Sequence, residues 1–525
     1  MQIRGDVLAE NPQPVPHGVF LRHVTPAGGP PGQDRRGKIA GTGLPGQDCE
    51  YRRAIELLPI DPGNSVMKVG ATPTLLVSIV MNLVPVVRAN QPNIVLILAD
   101  DLGYGDLACY GSLRQETPHI DRLATGGVRF TDFHSNGPMC SATRAALLTG
   151  CYQQRFGPEF DGALGPSPRD DNGLPLAAVT IAEVLQQVGY ATGMYGKWHL
   201  GYRPPLWPTQ QGFDEFVGLG SGDGDHHTQI DRSGQQDWWK NDVIRMESAY
   251  TTDLITDHSV DFIRRHRKQP FFLYVAHLAI HFPWQGRDDL PHRVQGTNYS
   301  NDKWGIIPDR HNVAPHVKAM IEAVDQSVGK IVSALDECGL SENTLVVFAS
   351  DNGGYLQYAD SHFNISSNGP LKGQKGEVHE GGHRVPCIAR WPGRIPPGRT
   401  SAQTVLTMDF FPTFASLAGA KLPTGQQLDG RDIGPLLLDD QALAERMTFW
   451  RNDEQRAARL GRWKLNLSPV DRSAADRSAA DGPRLYNLND DLGETTNVAA
   501  ENPAIVSKLR NAWFAWERDV NGGFQ

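Results

Sequence analysis

The chain has 525 residues, of which 39% are hydrophobic and 21% charged, with a formal net charge of −9. That length allows a large core and more than one domain. The acidic balance excludes a global basic field that would recruit nucleic acid, so an anionic ligand has to be met by local cations.

Residues 11–48 are rich in Pro and Gly and show no sustained apolar period, which predicts disorder over 1–66. Met67-Lys68, an apolar run from Leu75 to Val87 and Val87-Arg88-Ala89 follow the layout of a secretory signal peptide at 67–89. The run is too short for a comfortable membrane span. A signal behind 66 residues is unusual, so Met67 is read as the true start, with a secreted or periplasmic mature protein beginning near Asn90 and no stable membrane insertion; the alternative is a single anchoring helix. Its five cysteines (Cys109, Cys140, Cys151, Cys338, Cys387) lack metal-site spacing, and no disulfide pairing follows from them.

Asn93–Ala99 is a continuous apolar run ending in Asp100-Asp101, as in a strand buried on both faces. Gly137 to Gly150 places Cys140 at the start of a short helix, where free N–H groups favour an anion, with Arg144 one turn on. Thr180 and Glu183 form a capping box for a helix carrying Ile181, Val184, Leu185 and Val188. A short strand around Tyr190–Met194 then delivers Lys197 and His199. Phe271–Ala276 is another buried strand, followed by His277 and His281. A helix with Val317, Met320, Ile321, Val324, Val328, Ile331 and Leu335 on one face precedes the strand Thr344–Ser350, and Cys338 reads as part of its core stripe. That strand ends in Asp351-Asn352.

Sites in open α/β sheets form at the carboxyl ends of strands. Asp100, Asp101, Asp351 and Asn352 therefore make a cluster of hard oxygen ligands suited to Ca²⁺ or Mg²⁺. Glycines around Lys375 let the backbone approach a ligand closely. The alternation of strand and helix predicts an α/β sandwich with a mainly parallel sheet over about 90–415. Strand candidates at Met447–Trp450, Trp463–Leu467 and Leu485–Leu488 predict a smaller antiparallel sheet in a subdomain at 416–525. It closes with a helix from Pro503 bearing Ile505, Val506, Leu509, Trp513 and Trp516 on one stripe. A tandem Asp-Arg-Ser-Ala-Ala at 471–480 reads as a solvated loop insertion.

Several segments together resemble one family, the type I sulfatases of the alkaline-phosphatase-like superfamily. They are Asp100 to Asp106, Cys140-Ser141-Ala142-Thr143-Arg144, Gly196 to Gly201, His281-Phe282-Pro283, Ser350 to Gly353, Gly373 to Gly376, and the tail Leu485 to Thr495. The resemblance implies oxidation of Cys140 to formylglycine by a maturation enzyme, one hydroxyl of its hydrate attacking sulfur and the other expelling sulfate by elimination. It implies a Ca²⁺ site of Asp100, Asp101, Asp351, Asn352 and the modified Cys140. Arg144 would hold the nucleophile and carboxylates, and Lys197 and Lys375 would neutralise sulfate oxygens. His199 would accept the proton in elimination, while His281 with Lys375 would serve the leaving oxygen.

One departure stands out: Ala142 replaces the proline of the Cys-x-Pro-x-Arg signature, which bears on how the maturation enzyme reads this segment. The expected activity is hydrolysis of a sulfated carbohydrate or aryl sulfate. The alternatives are a phosphonate or phosphodiester hydrolase and a glycan-binding protein with an unmodified Cys140. Residues 220–227 with Trp238-Trp239-Lys240 are expected to help choose the substrate.

Overall fold

The computed structural model describes residues 91–165, 172–468 and 482–523. Residues 1–66, the leader at 67–89 and the tandem insertion at 471–480 lie outside them. The main sheet has ten strands: β1 (Asn93–Ala99), β2 (Val128–Phe130), β3 (Ala191–Lys197), β4 (Glu215–Leu219), β5 (Trp239–Lys240), β6 (Val243–Ile244), β7 (Phe271–Ala276), β8 (Thr344–Ser350), β9 (Cys387–Arg390) and β10 (Arg399–Ser401). In space they run β10-β2-β9-β8-β1-β7-β3-β4-β5-β6. The central five are parallel, and β9 and β5 turn the two flanks antiparallel.

Helices cover both faces: α1 (Pro118–Thr125), α2 (Cys140–Thr149), α3 (Ile181–Gln186), α4 (Thr251–His266), α5 (Ala314–Glu337) and α6 (Phe410–Ala418). The apolar run of β1 explains the layering. Ile94, Leu96 and Leu98 face a core shared with α2, α3 and α6, whereas Val95, Ile97 and Ala99 face one shared with α1, α4 and α5. Strand β8 alternates in the same way, with Leu345 and Val347 on one side and Val346 and Phe348 on the other. The expected stripe of α5 is buried throughout. Cys338 caps that helix, partly buried against the same core. The capping box forms reciprocally, Thr180 N donating to Glu183 Oε2 at 2.7 Å and Glu183 N to Thr180 Oγ1 at 3.3 Å.

Beyond the main sheet lie β11 (Met447–Asn452), β12 (Gln455–Leu460), β13 (Trp463–Asn466) and β14 (Arg484–Asn487), an antiparallel sheet in chain order. Helix α7 (Pro503–Val520) presses Leu509, Trp513, Trp516 and Val520 onto it. Residue 415, the expected limit of the first domain, falls inside α6. The aromatic residues Phe410, Phe411 and Phe414 of that helix belong to the main core. The two parts share more than a boundary. Ala146 of α2 packs with Phe449, Ala458, Leu465 and Trp513.

Buried ion pairs also cross this junction. Arg459 on β12 meets Asp132 at 2.8 Å, and Lys464 on β13 meets Glu380 at 2.9 Å while also pairing with Glu494 of its own part at 3.1 Å. His134, Glu380 and His383 are spaced as metal ligands would be. Lys464 already donates to Glu380 and lies 3.2 Å from His383 Nε2, so a cation fills the cluster. Among the described residues, no helix is long and apolar enough to cross a membrane.

Candidate active site

Parallel pairing of β1 with β8 sets Ala99 opposite Ser350, so Asp100-Asp101 and Asp351-Asn352 leave the sheet side by side. Strand β3 brings Lys197 to the same edge, and the loop after β7 brings His281. Two glycines make this crowding possible. A Cβ on Gly196 would lie 1.9 Å from Ala276 O, and one on Gly353 would lie 1.8 Å from Gly381 O. Asp101 and His199 are held left-handed, with φ of 61° and 56°. That conformation costs a non-glycine residue about 1–2 kcal/mol, which the surrounding contacts must offset.

Helix α2 begins at Cys140, after an extended Met139, and ends at Gly150 with φ 72°. Its ten residues are all buried. Arg144 reaches back from its second turn. Nε and Nη2 donate to Asp351 Oδ2 at 3.1 and 2.8 Å, and Nη1 donates to Lys197 O at 2.9 Å. Lys197 Nζ pairs with Asp100 Oδ2, and Lys375 Nζ pairs with Asp101 Oδ1 while lying 3.7 Å from Cys140 Sγ. Asp100, Cys140 and Asp351 converge as one ligand group, and Asp100, Asp101 and His281 as another.

The donor set fits a hard cation. Asp100 Oδ1, Asp101 Oδ2 and Asn352 Oδ1 are buried with no hydrogen-bond partner. Such orphaned oxygens are costly unless something positive meets them. Asn352 keeps its amide nitrogen for Asp101 Oδ1 (2.8 Å) and Gly353 O (3.0 Å), which fixes its oxygen as the outward donor. Burial raises the Asp100 carboxyl above its usual range, opposed by Lys197, and burial plus the Asp100 charge raises Asp351. Crowded carboxylates with spare oxygen lone pairs are the chemistry of a Ca²⁺ or Mg²⁺ site.

The histidine tautomers follow from their partners. His199 Nε2 lies 2.9 Å from Leu164 O, so that nitrogen carries the proton and Nδ1 is a bare, unpartnered lone pair. His281 Nδ1 donates to Phe282 O at 2.8 Å, leaving Nε2 free 4.0 Å from Asp101 Oδ2. Burial and the nearby lysines hold both imidazoles neutral, well below the usual histidine range. Burial also pushes the Cys140 thiol up, against the pull of Lys197 and Lys375. An unmodified Cys140 is thus a poor thiolate.

Cys140, His199, His281 and Lys375 open into one cavity of about 390 Å³. Larger concavities beside the C-terminal sheet contain none of the expected site residues. Of the expected specificity segment, Ser221, Gly222 and Asp223 line the cavity. Trp238 is instead buried, and Trp239 packs on Trp207 with ring centroids 4.1 Å apart. Arg232, Lys303, Tyr355 and Tyr358 also line it. The sequence reading missed these four, because they lie outside any motif, Tyr358 in a two-residue strand and the others in loops.

A mainly parallel α/β sheet with a buried cysteine at a helix N-terminus, clustered carboxylates and convergent lysines defines an alkaline-phosphatase-like hydrolase. The fold is shared with a phosphonate monoester hydrolase of Agrobacterium radiobacter (TM-score 0.54, 20% identity, covering 82% of this chain and 96% of that one). The chain belongs to the sulfatase family, whose profile it matches over residues 92–420, and it is a sulfatase of type I. It is 35% identical to human arylsulfatase A over 473 residues, covering 80% of this chain and 87% of that protein. With N-acetylgalactosamine-6-sulfatase of Canis lupus familiaris it shares 36% identity over 393 residues, 72% of each. The solved structure of Ps i-CgsB with k-i-k-neocarrahexaose superposes with a TM-score of 0.70 at 32% identity, covering 83% of this chain and 95% of that one.

Proposed function

We propose that this sulfatase releases sulfate from a sulfated carbohydrate, using a formylglycine made from Cys140 and a bound Ca²⁺. The three orphaned oxygens of Asp100, Asp101 and Asn352 carry this reading, since they point where a cation would be held together with Asp351 and residue 140. When bound, Ca²⁺ supplies a Lewis acid for a sulfate oxygen and lowers the pKa of a nearby hydroxyl. The hydrated formylglycine supplies a nucleophilic hydroxyl, and a second hydroxyl through which sulfate can be released by elimination.

The chain's own residues do the rest. Lys197 and Lys375 offer ammonium groups to the sulfate oxygens, which are acceptors only. Arg144 fixes Asp351 and the main chain at Lys197, and so sets the depth of the site. His199 presents Nδ1 as the base for the second hydroxyl. His281 presents Nε2 to the leaving oxygen. Burial is the larger cause that disfavours a proton on this nitrogen, and the negative charge of an incoming sulfate would offset the smaller share that comes from Lys197 and Lys375.

A sugar substrate is supported by the N-acetylgalactosamine-6-sulfatase relative and by the neocarrahexaose complex. The leader-like run at 67–89 supports export of the enzyme, and Cys140 would be converted by a maturation enzyme. The test is the mass of the peptide containing Cys140, paired with sulfate release by the same preparation. An aldehyde at position 140 with turnover supports the reading. A retained thiol in active protein overturns it, and a retained thiol with glycan binding alone favours a non-catalytic role.

A further inference from the structure

The cavity wall also carries a cation that the reaction does not use, Lys303. Lys303 Nζ lies 4.8 Å from the Trp304 ring centre, 5.1 Å from Tyr358 and 5.4 Å from Phe282. It donates one hydrogen bond, to Tyr358 Oη at 3.1 Å. No carboxylate of the described residues comes within salt-bridging distance of it. Three ring faces hold the ammonium in one place, which removes much of the mobility of a surface lysine. An ammonium has three donors, so capacity remains for an anion on the cavity side.

The nearby acids do not cancel this charge. Asp223 is shared by Arg232 at 2.9 Å and the buried Arg293 at 3.1 Å, so that trio keeps one net positive charge. Asp231 also lines the cavity and keeps its negative charge, but it is turned to Ser233 Oγ and Gln235 N, each at 2.8 Å, and makes no ion pair with Lys303. Between Lys303 and the sulfate-binding Lys375 stand two tyrosines in ring contact. Lys375 lies 5.3 Å from the Tyr355 ring centre, and the Tyr355 and Tyr358 centroids are 4.8 Å apart. Phenol faces of this kind suit the apolar face of a sugar ring, with an anion at either end.

We infer that Lys303 is a second anion subsite, so that the enzyme prefers a glycan bearing another acidic group, one sugar or so from the sulfate it removes. This rests on the carbohydrate-sulfatase reading above.

Binding is measured calorimetrically on the full chain with two probes. Inorganic sulfate is a single anion. Sucrose octasulfate is a disaccharide that offers anions at every spacing. Lys303→Met is expected to weaken sucrose octasulfate about tenfold or more while leaving inorganic sulfate within about twofold. Turnover of 4-nitrophenyl sulfate, which has no second anion, should stay within about twofold as well. Lys303→Arg, which keeps the charge and can stack on the rings, should restore binding to within about threefold. Equal weakening of both probes, no weakening of either, or failure of the arginine variant to restore binding would each overturn the subsite. Lack of sulfate release from both sulfated oligosaccharides and 4-nitrophenyl sulfate by wild-type protein with an aldehyde at position 140 would count against the sulfatase mechanism instead, and the binding comparison would still decide the role of Lys303.

Discussion

Replacing Arg144 with methionine probes the group on which the site's geometry converges. The guanidinium is about 1% exposed. It holds Asp351 through two nitrogens, touches Lys197 O and lies 3.8 Å from Asp100 Oδ2. Methionine keeps much of the aliphatic volume but strands the Asp351 carboxylate, buried next to Asp100. Breaking a buried ion pair in this way costs about 3–5 kcal/mol. For a chain of this length the unfolding entropy is on the order of 1 kcal/mol/K, so Tm should fall by roughly 3–5 °C. Excess Ca²⁺ gives Asp351 another positive neighbour and should shrink the drop, whereas EDTA should enlarge it. Loss of the bond to Lys197 O also frees the strand end that aims Lys197, and a displacement of about 1 Å there costs on the order of 100-fold in turnover. Scanning calorimetry in EDTA and in CaCl₂, with sulfate release measured alongside, checks both effects. A Tm within about 1 °C of wild type in EDTA, with turnover within about threefold, would refute the assignment.

Three further outcomes follow from the same structure. Asn352→Leu removes one orphaned oxygen, so the rise in Tm that Ca²⁺ gives the wild type should be smaller in this variant; an unchanged rise would exclude Asn352 as a ligand. Trp513→Ala empties the centre of the α7 contact and should destabilise by about 3–5 kcal/mol in urea titration, without altering the kcat of folded enzyme; a loss under about 1 kcal/mol would refute that packing. His277, buried against Ser327 Oγ at 3.0 Å, has its pKa lowered by burial from 6.5 to about 3. The unfolded chain takes up this proton as pH falls through 6.5 and the folded chain does not until about 3, so stability is lost across that window. In His277→Gln, urea midpoints at pH 7.5 and 5 should lie closer together than in wild type; an equal spread would place the acid sensitivity elsewhere.

The strands and most of the site were legible in the sequence for a physical reason. β1 and β8 are apolar on both faces and end in carboxylates, so their type, their position and the chemistry at their ends follow from one pattern. β12 was not legible. Its sequence, Gln455 to Leu460, has two arginines and only two alanines and Leu460 against the cores, and it is a strand because β11 and β13 pair with it. The substrate wall was harder still. Nothing about Lys303 or Tyr358 in isolation separates a cavity residue from a surface one, since their neighbourhood is assembled by loops far apart in sequence. Trp238-Trp239 misled for the converse reason, because aromatic pairs fill cores as readily as they line sugar sites.

Helix α2 is closed in from two directions, by the main sheet through Ala145, Leu147 and Leu148 and by the C-terminal sheet through Ala146. The residues that supply the second cover, from Met447 onward, come about 300 positions later in the chain. At about 5–20 residues per second, synthesis takes roughly 15–60 s to reach them. During that interval the Cys140 segment cannot be sealed by its native neighbours. The order in which the polypeptide emerges therefore leaves helix α2 without its second cover until β11 to β14 and α7 dock over it.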